Sequence, residues 1–233
     1  GPLGWVFGEP PMATQDHVNG FAALPDVYRK ADPRFTGKVT VPALWDKARG
    51  TMVNNESAEI VRMLEVEFRA LADPTVDLYP LPLRAEIDEV NAFVGPRVNG
   101  GVYRAGFAST QEAYDAAVVD LFEALDALEM RLAARRFLVG ERLTEADLRL
   151  FATLVRFDVA YSGALRCNLK RLSDYPHLWA YTRRIFHLPG VAGTVRLDHV
   201  KRHYWDDHPM INRRIVPIGP LVDLFDVAAA RAA

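Results

Sequence analysis

The chain has 233 residues, with 28 Lys and Arg against 30 Asp and Glu, so 28 − 30 gives a net charge of −2; that excludes the basic excess of a general nucleic-acid binder. Half of the residues are hydrophobic and a quarter are charged, the balance of a folded globular protein and not of a disordered one. No apolar run approaches the roughly eighteen residues of a membrane span, no charged-then-apolar signal pattern opens the chain, and the one cysteine, Cys167, excludes an internal disulfide or a Cys-based zinc cluster and suits a reducing cytoplasm.

The first thirty-eight residues are rich in Pro, Gly and Asp, and Pro10-Pro11 and Asp32-Pro33 break regular structure. A short helix is expected at about 22–30. Val39-Thr40-Val41 reads as a strand ended by Pro42. Leu44-Trp45 and Thr51-Met52-Val53, across a Lys47–Gly50 turn, read as a hairpin. A helix should start near Asn55–Ser57, where N-cap residues precede apolar residues at helical spacing. After a linker at Asp73–Pro82 the chain reads as helical: 85–94, then 110–135 with Ala117, Leu121, Leu125, Leu128 and Leu132 on one face. Thr144-Glu145-Ala146-Asp147 has the form of a capping box with Asp in the third place. The helix that it opens is apolar on several faces, as a central buried helix is. Another helix runs from Tyr175 to His187, stopped by Pro189-Gly190. The end, 228–233, is expected to fray. The expected organisation is a small α/β domain over 1–72 and an all-helical domain over 83–233. Because residue 1 is Gly and not Met, the chain is expected to be processed, tagged or cut from something longer.

Several residues carry chemistry of their own. A cis bond at Val41-Pro42 would turn the preceding N–H and C=O outward, toward an extended peptide ligand. A helix starting at Glu56-Ser57 offers free N–H groups for a carboxylate, and the Glu56 side chain would suit an ammonium. Together they would grip a zwitterionic amino-acid end; an edge-strand Pro and an ordinary cap account for the same spacing. Tyr103, Tyr204 and Trp205 are candidates for an aromatic pocket in which tyrosine hydroxyls donate to a developing phenolate or enolate oxygen, or for plain packing. Cys167, flanked by Arg166, Lys170 and Arg171, is read as a buried apolar side chain rather than a reactive thiol. His199 and His203 have metal-ligand spacing, with Asp198, Asp206, Asp207 and His208 nearby, but Lys201 and Arg202 between them disfavour a cation. No metal is expected. Gly-x-Ser-x-Gly and a phosphate-binding Gly-rich loop are absent.

Val39–Lys47 with Val53-Asn54-Asn55-Glu56-Ser57 resembles the glutathione-site half of a glutathione-transferase thioredoxin-like domain. The runs 99–108 (Asn-Gly-Gly-Val-Tyr-Arg-Ala-Gly-Phe-Ala), Arg156-Phe157-Asp158, Arg166-Cys167-Asn168 and Asp198–Tyr204 resemble its Xi class, the glutathionyl-hydroquinone reductases. The similarity runs from about residue 4 to 220. It implies the glutathione-transferase architecture, α/β plus all-α, here a partial thioredoxin-like N-terminal domain followed by an all-helical one. It implies reduction of S-glutathionyl hydroquinones with glutathione as co-substrate, and a homodimer formed through the helical domains. By the family pattern Trp5, Lys38, Val41, Pro42, Glu56 and Ser57 would bind glutathione, with Lys38 where the family often has Arg. Tyr103 and Tyr204 would be catalytic and would share the aromatic pocket with Trp205, which stands where the family usually has a second Tyr. Gly100-Gly101 replace an Asn-Asn of the family pattern. The family's Cys-Pro nucleophile motif lies upstream of its Gly-Trp, and this sequence opens near Gly4-Trp5. The expectation is therefore an inactive polypeptide as given. The alternative is a non-catalytic binding or assembly module of the same fold.

Overall fold

The structure is a computed structural model and describes residues 4–206, 215–220, 222 and 224. It divides into two compact units, Gly1–Val76 and Asp77–Ala233.

In the first unit the chain at Trp5–Phe7 runs beside 22–24. Leu24 N–H donates to Trp5 C=O and Phe7 N–H to Ala22 C=O, each at 2.9 Å. Helix α1, Leu24–Ala31, opens with Pro25 and Asp26 in its first turn and ends with Arg29 and Lys30. Those charges match the helix dipole. Its buried face is Leu24, Val27 and Tyr28, against which Phe7, Phe21, Phe35, Trp45 and Met52 pack. Strands β1, Leu44–Asp46, and β2, Thr51–Asn54, form an antiparallel hairpin that pairs Trp45 with Met52 and Asp46 with Thr51. Gly50, at φ +65, closes the turn where a side chain would be strained. Helix α2, Ser57–Val66, follows directly.

The expected strand at Val39–Val41 does not form, and the two-stranded sheet ends at Leu44. Thr40 spends its backbone groups on a side chain instead. Its N–H donates to the Tyr28 hydroxyl at 3.3 Å, and its C=O accepts from that hydroxyl at 2.8 Å. Pro42 has no N–H to offer a ladder.

The second unit is helical. Helices α3, Arg84–Val94, α4, Gly101–Gly106, and α5, Gln111–Ala133, are followed by α6, Glu145–Arg156, α7, Ser162–Ala164, α8, Pro176–Phe186, and α9, Leu197–Trp205. One continuous core joins them, centred on fully buried Leu121, Leu125, Leu150, Leu154, Phe157 and Tyr181. The start of α6 is its polar keystone. The buried Asp147 carboxylate accepts from Thr144 N–H and hydroxyl, from Leu138 N–H and from the Tyr181 hydroxyl, all at 2.8–2.9 Å. Burial nonetheless holds its carboxyl above the ordinary carboxylate range, against those hydrogen bonds. Two π-turns, Gly95–Asn99 and Phe157–Tyr161, run straight into α4 and α7. Residues 207–214 and most of 221–233, including Asp207, His208 and the expected frayed end, lie outside the described residues.

Candidate functional site

The first unit brings Val41, Pro42, Glu56 and Ser57 to one place through three side chains between them. Asn55 donates from Nδ2 to the Tyr28 hydroxyl at 3.1 Å and to Thr40 Oγ1 at 3.2 Å. The buried Tyr28 hydroxyl in turn holds the Thr40 backbone. Thr40 precedes Val41, and Asn55 precedes Glu56, so this clamp ties the Val41-Pro42 segment to the start of α2. The Val41-Pro42 bond is cis. Val41 is 50% exposed, and its N–H and C=O have no partner among the described residues. Asn54 closes the turn that leads into the helix: its Oδ1 accepts from Glu56 N–H at 2.7 Å and its Nδ2 donates to Glu59 at 2.6 Å. The Glu56 and Ser57 side chains are exposed beside it. An extended peptide beside Val41 would find hydrogen-bonding edges, and a charged amino-acid end would find both signs of partner at the start of α2.

Trp5 and Lys38 sit differently. Trp5 is exposed on the segment that pairs with 22–24, and Lys38 is exposed in the stretch between α1 and β1. The Tyr28–Thr40–Asn55 clamp had no signal of its own in the sequence beyond the cap-type Asn55.

The second unit brings Tyr103 of α4 and Tyr204 of α9 into contact. Their hydroxyls lie 2.6 Å apart across 101 residues of sequence. Tyr204 is buried and Tyr103 is 40% exposed. The Tyr103 ring runs parallel to Phe107 at 6.4 Å. Behind the pair lies a third tyrosine that sequence reasoning missed. Tyr161, buried at the end of the second π-turn, has its hydroxyl 3.3 Å from that of Tyr204. Burial pushes the Tyr161 and Tyr204 phenols well above their ordinary value. Trp205 is half-buried and covers Gly163: a Cβ on that glycine would stand 2.7 Å from its ring.

Cys167 is fully buried, with its sulfur 3.8 Å from Val102 C=O and 3.7 Å from Leu165 C=O. Burial pushes its thiol up to about 12, against the pull of Arg166. It is not a thiolate at neutral pH and not a nucleophile. Among the described residues no three metal-ligating side chains converge, and no helix is long and apolar enough to cross a membrane.

The glutathione S-transferase N-terminal domain family matches residues 12–67, and the C-terminal domain family matches residues 111–184. The glutathionyl-hydroquinone reductase PcpF of Sphingobium chlorophenolicum is 48% identical over 221 residues, covering 94% of this chain and 71% of that protein. The glutathione-bound structure of YqjG, a glutathione transferase homolog from Escherichia coli K-12, superposes with a TM-score of 0.92 at 47% identity, covering 96% of this chain and 74% of that one. The Xi glutathione transferase of Phanerochaete chrysosporium superposes equally well, at 0.92 and 48% identity, over 96% of this chain and 78% of that one. The two units are thus the thioredoxin-like and helical domains of a glutathione transferase. The chain belongs to the Xi class of that family, the class of the glutathionyl-hydroquinone reductases.

Proposed function

We propose that the chain provides the binding parts of a glutathionyl-hydroquinone reductase: a glutathione cradle in its first unit and an aromatic-oxygen site in its second. The observation that carries the reading is the 2.6 Å contact of the Tyr103 and Tyr204 hydroxyls, in a chain whose relative PcpF is named for this reaction. In the cradle, Val41 pairs through its backbone with the glutathione main chain beside Pro42. Glu56 takes the γ-glutamyl ammonium, and Ser57 with the α2 N-terminus takes its carboxylate. Trp5 packs on glutathione, and Lys38 takes a carboxylate as a point charge, without the bidentate fork of an Arg. Tyr103 and Tyr204 hydrogen-bond the ring oxygen of the hydroquinone and are the catalytic tyrosines of this chain, and Trp205 completes the apolar wall.

The reaction needs a thiolate that attacks the sulfur of the S-glutathionyl hydroquinone. The aryl carbon–sulfur bond breaks and its electron pair takes up a proton to give the free hydroquinone. The attacking thiol is left as a mixed disulfide with glutathione. A second glutathione then reduces it, leaving as glutathione disulfide. The tyrosine hydroxyls assist by donating to the ring oxygen as charge develops there. The thiolate is not Cys167, which is the sole cysteine of the 233 residues. These residues alone therefore do not turn the conjugate over. Incubating the polypeptide with S-glutathionyl hydroquinone and glutathione, and following hydroquinone release, tests this. No release above the uncatalysed rate is expected; release at a rate comparable to that of a Xi-class reductase would overturn it. The membership in this family leads us to propose also a cytoplasmic protein acting as a dimer through its helical domains, and size-exclusion with light scattering reads the dimer directly.

A further inference from the structure

Helix α4 has six residues, fewer than two turns, and so short a helix does not hold its geometry alone. It carries Tyr103, whose hydroxyl meets that of Tyr204 at 2.6 Å and also bonds to Tyr161. Whatever fixes α4 therefore fixes that hydroxyl. On its flank Arg104 donates to Asp120 of α5 at 2.6 Å. Its C-terminal end is held by Leu165 and Arg166. Leu165 packs directly on the Gly106 backbone, where a Cβ would stand 2.5 Å from it. The Arg166 guanidinium donates from Nη2 to Gly106 C=O at 3.0 Å. That carbonyl is one that the end of a helix leaves open, and positive charge there suits the helix dipole.

Arg166 is an unusual residue for its backbone position. It closes α7 at φ +59, with its N–H on Gly163 C=O at 3.3 Å and Cys167 N–H on Tyr161 C=O at 3.1 Å. Among the described residues it is the one non-glycine at positive φ. Such a place after a helix usually falls to Gly, or to Asn, because a Cβ is strained there. A long side chain is kept where its contacts offset that strain. Here they are the Gly106 carbonyl and Tyr114 of α5, which grips Arg166 twice. The Tyr114 hydroxyl donates to Arg166 C=O at 2.7 Å, and its ring centroid lies 5.6 Å from the guanidinium carbon. Strained residues of this kind collect at functional sites, and this one reaches the helix that bears Tyr103.

We propose that Arg166 is a positioning residue of the aromatic site: braced by Tyr114, it caps α4 and so holds the Tyr103 hydroxyl in place against Tyr204. Its consequence for binding rests on the aromatic site proposed above.

The test uses the full chain labelled with meta-fluorotyrosine, its fluorine signals assigned by single Tyr→Phe variants. Arg166→Gly removes the guanidinium and relieves the strain, so the fold is kept. Arg166→Asn, which tolerates the same conformation, stands in where the glycine variant does not fold. The substitution is expected to shift or broaden the Tyr103 signal while that of Tyr28, in the first unit, stays in place. Phenol affinity falls about three- to tenfold, and that for toluene, the oxygen-free control, is unchanged. In a Tyr103→Phe background the same substitution has no further effect on phenol. An unmoved Tyr103 signal, or phenol affinity equal to the native value, overturns the inference. An equal loss for phenol and toluene, or a phenol loss additive with Tyr103→Phe, marks a packing role and overturns it too. A native chain that does not bind phenol, or binds it equally well as Tyr103→Phe, sinks the aromatic site itself; the Tyr103 signal then still decides whether Arg166 holds that hydroxyl.

Discussion

Cys167 shows how burial decides chemistry at a single residue. Arg166, Lys170 and Arg171 surround it in sequence, a composition that would lower a thiol pKa. Its sulfur instead sits among carbonyl oxygens in the core, and desolvation outweighs the nearby charge. The native thiol therefore stays unreactive toward alkylating reagents at neutral pH and reacts only when the chain is unfolded, which mass spectrometry of the alkylated protein checks. Its titration also has a sign. The folded value, about 12, lies above the ordinary 9.0, so its stabilisation is complete below the ordinary value and is lost as pH rises toward the folded one. About three units at ~1.36 kcal/mol each make roughly 4 kcal/mol. Urea melts at increasing alkalinity are expected to lose stability more steeply for the native chain than for Cys167→Ala. Parallel curves would contradict this. Asn55 is the other decisive residue. It contacts no proposed ligand, yet it ties the Thr40–Pro42 segment to the start of α2 through Tyr28. Asn55→Ala is expected to weaken glutathione binding about tenfold by loosening this clamp, as calorimetry would read it.

At the scale of elements, the sequence was most legible where the period is regular. The hairpin, the helix after Asn55, the long α5 and the capped α6 all stand within a few residues of where apolar spacing and cap residues place them. It was least legible where a side chain replaces a backbone partner or the helical period slips. Val39–Val41 has strand composition, but Tyr28 takes the hydrogen bonds that a neighbouring strand would have taken. The π-turns at Gly95–Asn99 and Phe157–Tyr161 widen the turn and break the 3.6-residue phase. For that reason no spacing argument could bring Tyr161 to Tyr103 and Tyr204. The capping cluster at Asp147 is the element on which the helical unit depends. Removing its carboxylate leaves two buried N–H groups and two hydroxyls without that acceptor. Asp147→Ala is expected to cost about 3 kcal/mol or more in a urea melt, and a cost under 1 kcal/mol would contradict the account. Gly163 sets the seat of α9. A methyl there meets the Trp205 ring at 2.7 Å. Gly163→Ala should therefore cost about 1–3 kcal/mol and weaken aromatic binding by shifting Tyr204, the neighbour of Trp205.

At the scale of the whole molecule, each unit carries one of the two sites proposed above. The first has a small core around Tyr28 and Trp45 and offers a backbone edge and a helix start. The second has the large core and offers a row of hydroxyls that ends at the surface. The family likeness covers both units at 48% identity to a glutathionyl-hydroquinone reductase, while the only thiol is sequestered. Binding and turnover are therefore separate properties of these 233 residues, and binding is the one proposed for them. The direct measurement is calorimetric titration of the native chain, Asn55→Ala and Tyr103→Phe with S-glutathionyl hydroquinone and with free glutathione. Native chain binding both ligands, Asn55→Ala weakening for both, and Tyr103→Phe weakening for the conjugate alone is the expected pattern. Conjugate affinity that is indifferent to both substitutions, or no binding by the native chain, would contradict it.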